Sequence, residues 1–80
     1  MTMTKAEFLE AVKNHMKNCK NSWINQYYTV DGHKVGLKLW MDRTKASVYR
    51  LEIDGLQTPS AHDLTQKNTL AFIEDYLNRA

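Results

Sequence analysis

The stretch Ser22–Met41, SWINQYYTVDGHKVGLKLWM, predicts a β-hairpin around which the remaining chain is arranged. Two alternating runs flank Asp31-Gly32, a dipeptide that tolerates the positive φ angles needed at both central residues of a type I′ turn. Val30 should therefore face His33, and this pair sets the register of every pair farther from the turn.

The predicted register gives the hairpin two faces of different composition. One face is mainly apolar and should contribute to the core: Ile24, Gln26, Tyr28, Val30, Val35, Leu37 and Leu39. The opposite face pairs Trp23 with Trp40, Tyr27 with Gly36, Asn25 with Lys38 and Thr29 with Lys34. Both tryptophans of the chain therefore lie on one surface, and we expect Gly36 to make that surface locally accessible.

The length of 80 residues fits a single domain spanning residues 1–80 with a thin core, which disfavours a deep catalytic cleft. A single cysteine, with no apolar run long enough for a membrane span or signal peptide, favours the reducing cytoplasm.

The net charge of +2 is too small to indicate nucleic acid by itself. Residues 1–40 hold six lysines against three acids, so the basic excess lies in the first helix and the hairpin.

A helix is predicted on each side of the strands. Thr4 and Glu7 form a capping box, and the first helix should run to about Lys20. Its buried stripe is expected to be Phe8, Val12, Met16 and Cys19. The second helix has its stripe at Leu70, Ile73 and Leu77. Three starts stay open for it: Thr58, Ser60 and Asp63.

A third strand is predicted from Ala46 to Asp54 because polar and apolar residues alternate there. The side chains expected to face the core are Tyr49, Leu51 and Ile53. That assignment requires an odd-length connection after the hairpin, for example Asp42–Ala46. The same register brings Arg50 close to Lys38 and Trp40 on the opposite face.

Together these elements predict an α+β fold. We expect a single αβββα domain in which a three-stranded antiparallel meander carries both helices on one face. Leu56–Thr58 would add either a brief fourth strand or a loop. Because the helices cover the aliphatic face, the face with Trp23 and Trp40 should remain open.

This uncovered face is the candidate partner-binding site. Its expected contact residues are Trp23, Tyr27, Lys34, Lys38, Trp40 and Arg50. Aromatic anchors beside cations suit a protein partner, the stacking of unpaired bases, or a second copy of the chain. Alternatively, the aromatic pairs only stabilise the small sheet, by roughly 0.5–1.5 kcal/mol each.

Metal, cofactor and catalytic sites are not predicted. His15 and Cys19 lie one helical turn apart, as two zinc ligands can, but the sequence offers no set of four ligands. Cys19 is instead expected to be a small buried hydrophobe. Its combination with His15 or His62 and Asp63 has no spacing typical of a nucleophilic site, and no phosphate-binding glycine loop is present. The chain is therefore predicted not to be an enzyme.

The order of elements resembles the double-stranded-RNA-binding domain, which also packs both helices on one sheet face. The similar local features are Glu7 or Glu10 on the first helix, Gly32-His33 in the hairpin turn and Lys67 near the second helix. The resemblance implies contacts from these regions to two minor grooves and the intervening phosphates. The chain departs from the family at residues 64–70, which supply one lysine and no glycine where the family has a glycine-rich, lysine-paired opening.

In size and general type the chain also resembles small phage-encoded anti-defence proteins, including anti-CRISPR proteins. That resemblance implies a non-catalytic inhibitor of a host defence complex that acts by steric occupation. We therefore predict a cytoplasmic protein-binding module whose partner is a protein or nucleoprotein complex and not a membrane. The alternative is a nucleic-acid-binding domain of the double-stranded-RNA type, and a homodimer is a third arrangement.

Overall fold

Two strands, Ser22–Val30 and His33–Met41, pair at every position in the predicted register. These strands belong to a computed structural model that describes residues 2–80. Asp31 and Gly32 have φ angles of 50° and 82°, as a type I′ turn requires. The hairpin prediction is therefore confirmed. The local signal of the Asp31-Gly32 turn is enough to set this register.

The elements follow in the order β1 (Thr2–Met3), α1 (Lys5–Asn18), β2 (Ser22–Val30), β3 (His33–Met41), β4 (Ala46–Ile53), β5 (Leu56–Gln57), β6 (Ala61–Leu64) and α2 (Gln66–Asn78). The α+β class is confirmed, but the order αβββα is not exact. β1 precedes the first helix and pairs in parallel with β2, which makes the sheet mixed. On the other side of the sheet, β5 and β6 both pair with β4.

One hydrophobic core joins the helices to the apolar face of the sheet. Its helical members are Phe8, Val12, Met16, Ile73 and Leu77. Its sheet members are Ile24, Val30, Val35, Leu37, Leu39, Met41, Ala46, Val48, Leu51 and Ile53. The two helical stripes and the aliphatic hairpin face therefore meet in one place, as their spacing predicts, although Gln26 is exposed and Tyr28 and Leu70 are only half-buried.

The first helix begins as predicted but ends two residues early. The Thr4 hydroxyl accepts a hydrogen bond from the Glu7 N–H at 3.1 Å, and the Thr4 N–H donates to the Glu7 carboxylate at 2.8 Å. The last helical residue is Asn18, whereas Lys20 was expected. Cys19 is the exposed C-cap, so its assignment as a buried hydrophobe is wrong.

β4 corrects the predicted third strand. Met41 pairs with Ala46 across the even-length connection 42–45, so Val48 lies in the core opposite Leu39. Strict alternation from Val48 would then point Arg50 into the core, and burying an unpaired charge costs several kcal/mol or more.

A β-bulge at Tyr49 resolves this conflict. Leu39 pairs with Val48 and Lys38 pairs with Arg50, which leaves Tyr49 as the extra residue of β4. Leu51 returns to the core after the bulge. Tyr49, which was predicted to face the core, instead projects from the opposite side of the sheet with 45% of its surface exposed.

The second helix starts at none of the three predicted positions. Its N-cap is Thr65, whose hydroxyl accepts a hydrogen bond from the Asn68 N–H at 3.1 Å. The preceding segment Ala61–Leu64 forms β6, and the Asp63 N–H there donates to the Ser47 hydroxyl at 3.2 Å. Pairing with β4 therefore overrides the local helix-start signals. The Leu56–Gln57 segment is a short strand, one of the two forms expected for it.

Candidate functional site: an aromatic and cationic sheet face

The sheet surface opposite the core, here named the open face, consists of Trp23, Asn25, Tyr27, Lys34, Gly36, Lys38, Trp40, Tyr49, Arg50, Glu52 and His62. Three of the four large hydrophobic side chains that are exposed within residues 2–80 lie on it. Trp23 is 48% exposed, Tyr27 is 51% exposed and Tyr49 is 45% exposed. Much of the exposed aromatic surface is thus concentrated on one side of the molecule.

The aromatic rings form a continuous strip across the strands. The Trp23 ring centroid lies 5.0 Å from that of Trp40 and 5.3 Å from that of Tyr49. The Tyr49 ring in turn lies 5.0 Å from His62 in an edge-to-face contact. These distances lie within the range in which aromatic pairs attract. The β-bulge at Tyr49 therefore completes a strip that runs from β2 to β6.

Tyr27 occupies the space that the missing side chain of Gly36 leaves. A Cβ atom at Gly36 would lie 2.5 Å from the Tyr27 Cε1 atom, closer than such atoms approach in proteins. Gly36 is buried under this ring, so the expectation that it opens the surface is wrong. The Lys34 Nζ and Arg50 Cζ atoms lie over the same ring, 5.0 and 5.4 Å from its centroid. The Tyr27 ring therefore packs against the backbone of Gly36 and is also contacted by the cations of Lys34 and Arg50.

The cations of the open face contact an aromatic ring and a side-chain amide. The Lys38 Nζ lies 5.4 Å from the Trp23 ring centroid. Arg50 donates from Nη2 to the Asn25 Oδ1 at 3.1 Å, while its buried Nε has no acceptor among residues 2–80. The three cations outnumber the one acid, Glu52, that lies opposite Gly36. The open face is consequently aromatic and net positive.

All six predicted contact residues are brought onto this face: Trp23, Tyr27, Lys34, Lys38, Trp40 and Arg50. Sequence reasoning missed Tyr49 as a neighbour of Trp23, and it missed His62 as a neighbour of Tyr49. A signal for Tyr49 does exist, because the apolar positions Ala46 and Val48 are out of phase with Leu51 and Ile53. Such a break in alternation indicates a bulge between them.

An acid and a histidine join the two Asp-Gly turns beside the open face. The His33 Nδ1 lies 2.5 Å from the Asp54 Oδ2, and the Lys34 N–H donates to the Asp54 Oδ1 at 3.0 Å. The hydrogen bond with His33, together with that from Lys34, lowers the pKa of the Asp54 carboxyl group. Both groups are partly exposed, and the pair ties the β2–β3 hairpin to the end of β4.

The residues weighed for metal binding or nucleophilic chemistry have ordinary structural contacts. The His15 Nε2 lies 3.0 Å from the Ser22 hydroxyl, and Cys19 is exposed. Within residues 2–80, no three His, Cys, Asp or Glu side chains are grouped as a metal site would require. In the same part of the chain, neither helix is long and apolar enough to cross a membrane.

The residues behind the double-stranded-RNA resemblance are divided between two places. Glu10 and Lys67 line one groove between α1 and α2. Gly32-His33 lies in the tight hairpin turn, where His33 contacts Asp54.

Comparisons with protein-family models, with curated proteins and with solved structures gave no match to this chain. Function is therefore inferred from the chemistry of the surface.

Proposed function

We propose that this protein is a non-catalytic protein-binding module that contacts its partner through the open face. The observation that carries the proposal is the concentration of half-exposed Trp23, Tyr27 and Tyr49 beside Arg50. Trp, Tyr and Arg are the residue types that dominate binding energy at protein interfaces. Isolated exposed hydrophobic residues are common on monomers, whereas contiguous apolar patches usually mark interaction sites.

The partner should present an acidic and apolar patch. Lys34, Lys38 and Arg50 give the open face its positive charge, and each of them lies over an aromatic ring. Rings that are already positioned lose little conformational entropy on binding, which favours their use as anchors. The cations would then supply electrostatic complementarity and a faster association rate.

The arrangement of Tyr27 favours a protein over unpaired bases. Single-stranded nucleic acids stack their bases on free aromatic faces. The Tyr27 ring is packed against Gly36 and is contacted by two cations, and the Trp23 ring already has Lys38 over it. Base stacking would have to displace these contacts, whereas a protein partner can pack against the exposed ring edges.

The specific class proposed is an inhibitor of a host defence complex encoded by a phage or mobile element. Such an inhibitor needs only to cover a surface that the complex uses. An exposed sheet face such as the open face can do so by binding to that surface. The proposal places the protein in the cytoplasm, where an exposed thiol such as Cys19 stays reduced.

Nucleic-acid binding is the second candidate. Its specific support is the clustering of Lys34, Lys38 and Arg50 on one face, together with Lys67 in the groove between the helices. Binding to phosphates releases counterions, so the affinity would fall steeply as salt is raised. Binding through desolvated aromatic anchors should respond much less to salt.

The test is affinity capture from a host lysate with and without nuclease, comparing wild type with the double variant Trp23→Ala/Tyr27→Ala. The matched control is Leu56→Ala, because Leu56 is a large exposed hydrophobic residue that lies outside the open face. Circular dichroism should first establish that all three proteins are folded.

A protein that survives nuclease, binds wild type and the Leu56→Ala variant, and is lost with the double variant supports the proposal. Recovery of nucleic acid alone, with a strong dependence on salt, supports the second candidate instead. Equal recovery of a protein by all three baits would show that the open face is not the contact surface.

A further inference from the structure

The outer edge of β2 consists of backbone groups, including those of residues whose side chains form the open face, and within residues 2–80 most of it is uncovered. Within residues 2–80, β1 pairs only with Thr29 and Val30, so the segment from Trp23 to Tyr27 has no strand on that side. The opposite side of the sheet is occupied by two short strands, β5 and β6. Short strands are one means by which proteins limit edge pairing, and within residues 2–80 the Trp23–Tyr27 part of β2 has no such cover.

The hairpin register shows which backbone groups are free. Val30 and His33 flank a two-residue turn and form a hydrogen-bonded pair, so even-numbered residues of β2 direct their N–H and C=O groups toward β3. Odd-numbered residues direct theirs toward the outer edge. The Asp31 N–H accordingly donates to the Met3 carbonyl on the β1 side at 2.8 Å. Among residues 2–80, the outward backbone groups of Trp23, Asn25 and Tyr27 have no strand to pair with on this edge.

The composition of this edge lacks the usual barriers to strand pairing. Native edge strands commonly carry Lys, Pro or a bulge that prevents association. β2 contains no charged residue, no proline and no glycine in its sequence SWINQYYTV, and its pairing with β3 has no irregularity. The groove of about 460 Å³ between α1 and β2 has no Asp, Glu, Lys or Arg side chain in its lining.

We propose that two copies of the chain pair in antiparallel fashion through their β2 edges, centred on Asn25. A two-fold interface brings one patch against itself, so any charge on β2 would face the same charge. Its absence makes the edge compatible with a second copy. Pairing about Asn25 places Trp23 of one copy opposite Tyr27 of the other, and all these residues have free backbone groups. The result is one continuous sheet with the two open faces side by side.

This proposal does not depend on the proposed function, since it concerns the edge of the sheet rather than its open face. The first measurement is the molar mass by sedimentation between about 1 µM and about 1 mM, a range that spans moderate to weak association. We expect the mass to rise from 9.3 kDa toward twice that value. A wild-type chain that stays monomeric throughout overturns the proposal.

Amide hydrogen exchange followed by NMR locates the interface. The amides of Trp23, Asn25 and Tyr27 should become protected as the concentration rises. Those of Ile24 and Gln26 serve as internal controls, because their N–H groups already bond to β3 and should be protected at every concentration. A dimer in which the three odd-numbered amides remain unprotected overturns pairing through this edge.

Substitution at the centre completes the test. Asn25→Asp keeps an oxygen acceptor for Arg50 but sets two carboxylates opposite each other, so dimerisation should weaken by about tenfold or more. Asn68→Asp makes the same change in charge at an exposed position on α2 and should leave dimerisation unchanged. Asn25→Pro should abolish pairing while preserving the ladder with β3. Dimerisation of Asn25→Asp with wild-type affinity overturns the proposal.

Discussion

The two faces of the central hairpin arise from the same alternation but have opposite fates. On the core face, Leu37 and Leu39 are fully buried beneath the helices. On the open face, Trp23 and Tyr27 keep about half of their surface in water. Folding therefore accounts for the side chains of the core face, because burial stabilises them. It leaves apolar surface of the open face exposed to water, which is the basis for the proposal that a partner binds there.

The largest expected effect separates the two faces by stability. Leu37→Ala should lower the free energy of unfolding by about 2–5 kcal/mol, because it removes a fully buried side chain from the central strand. Urea unfolding followed by circular dichroism measures this loss. A loss below about 1 kcal/mol would mean that the core face is not the main source of stability.

Trp23→Ala provides the matching change on the open face. The ring is 48% exposed and contacts Trp40 and Tyr49, so we expect a loss of about 1–2 kcal/mol in the same urea titration. The comparison between faces would break down if this variant lost as much stability as Leu37→Ala. Trp23 would then be a structural residue rather than a reserve of binding surface.

Gly36→Ala sharpens the comparison by testing how the open face is supported. The added methyl group meets the Tyr27 ring and should cost about 1 kcal/mol as the ring moves. In a Tyr27→Ala background, that cost should disappear or change sign, because alanine is favoured over glycine within a strand. A double-mutant cycle measured by urea unfolding gives the coupling directly. Additive effects would show that Tyr27 does not pack on Gly36.

The smallest expected effect concerns the link between the two Asp-Gly turns. The pKa of Asp54 is lowered in the folded protein, so this carboxylate stabilises the fold above its unfolded pKa of about 3.9. That contribution should be lost as the pH falls through the lower folded value. Urea unfolding of wild type and Asp54→Asn at neutral and acidic pH checks this. The two proteins should converge in stability at low pH, and a constant difference would contradict the assignment.

Local signals predicted the parts of the fold that depend on neighbouring residues. The Asp31-Gly32 turn set all the pairs of the hairpin, and the Thr4 capping box set the start of α1. Both results depend on interactions between residues that are close in sequence. The same register also identified Trp23 and Tyr27 as members of the open face.

The parts that sequence reasoning missed depend on contacts between distant segments. Thr2 pairs with Thr29, and Ala61 pairs with Val48, which no local pattern indicates. The prediction placed Tyr49 on the wrong face because it continued the alternation through a β-bulge. Burial of both Val48 and Leu51 requires that bulge. These are cases in which tertiary pairing overrides local preference.

The most direct test of binding through the open face compares Trp23→Ala with Ile53→Val. Ile53 is buried in the core face, and its truncation should cost about 0.5–1.5 kcal/mol, close to the loss expected for Trp23→Ala. Both variants would be used as baits in nuclease-treated lysate at a temperature where both are folded. Binding through the open face predicts that Ile53→Val retains the protein partner and Trp23→Ala loses it. Retention by both variants, or equal loss from both, would contradict that assignment.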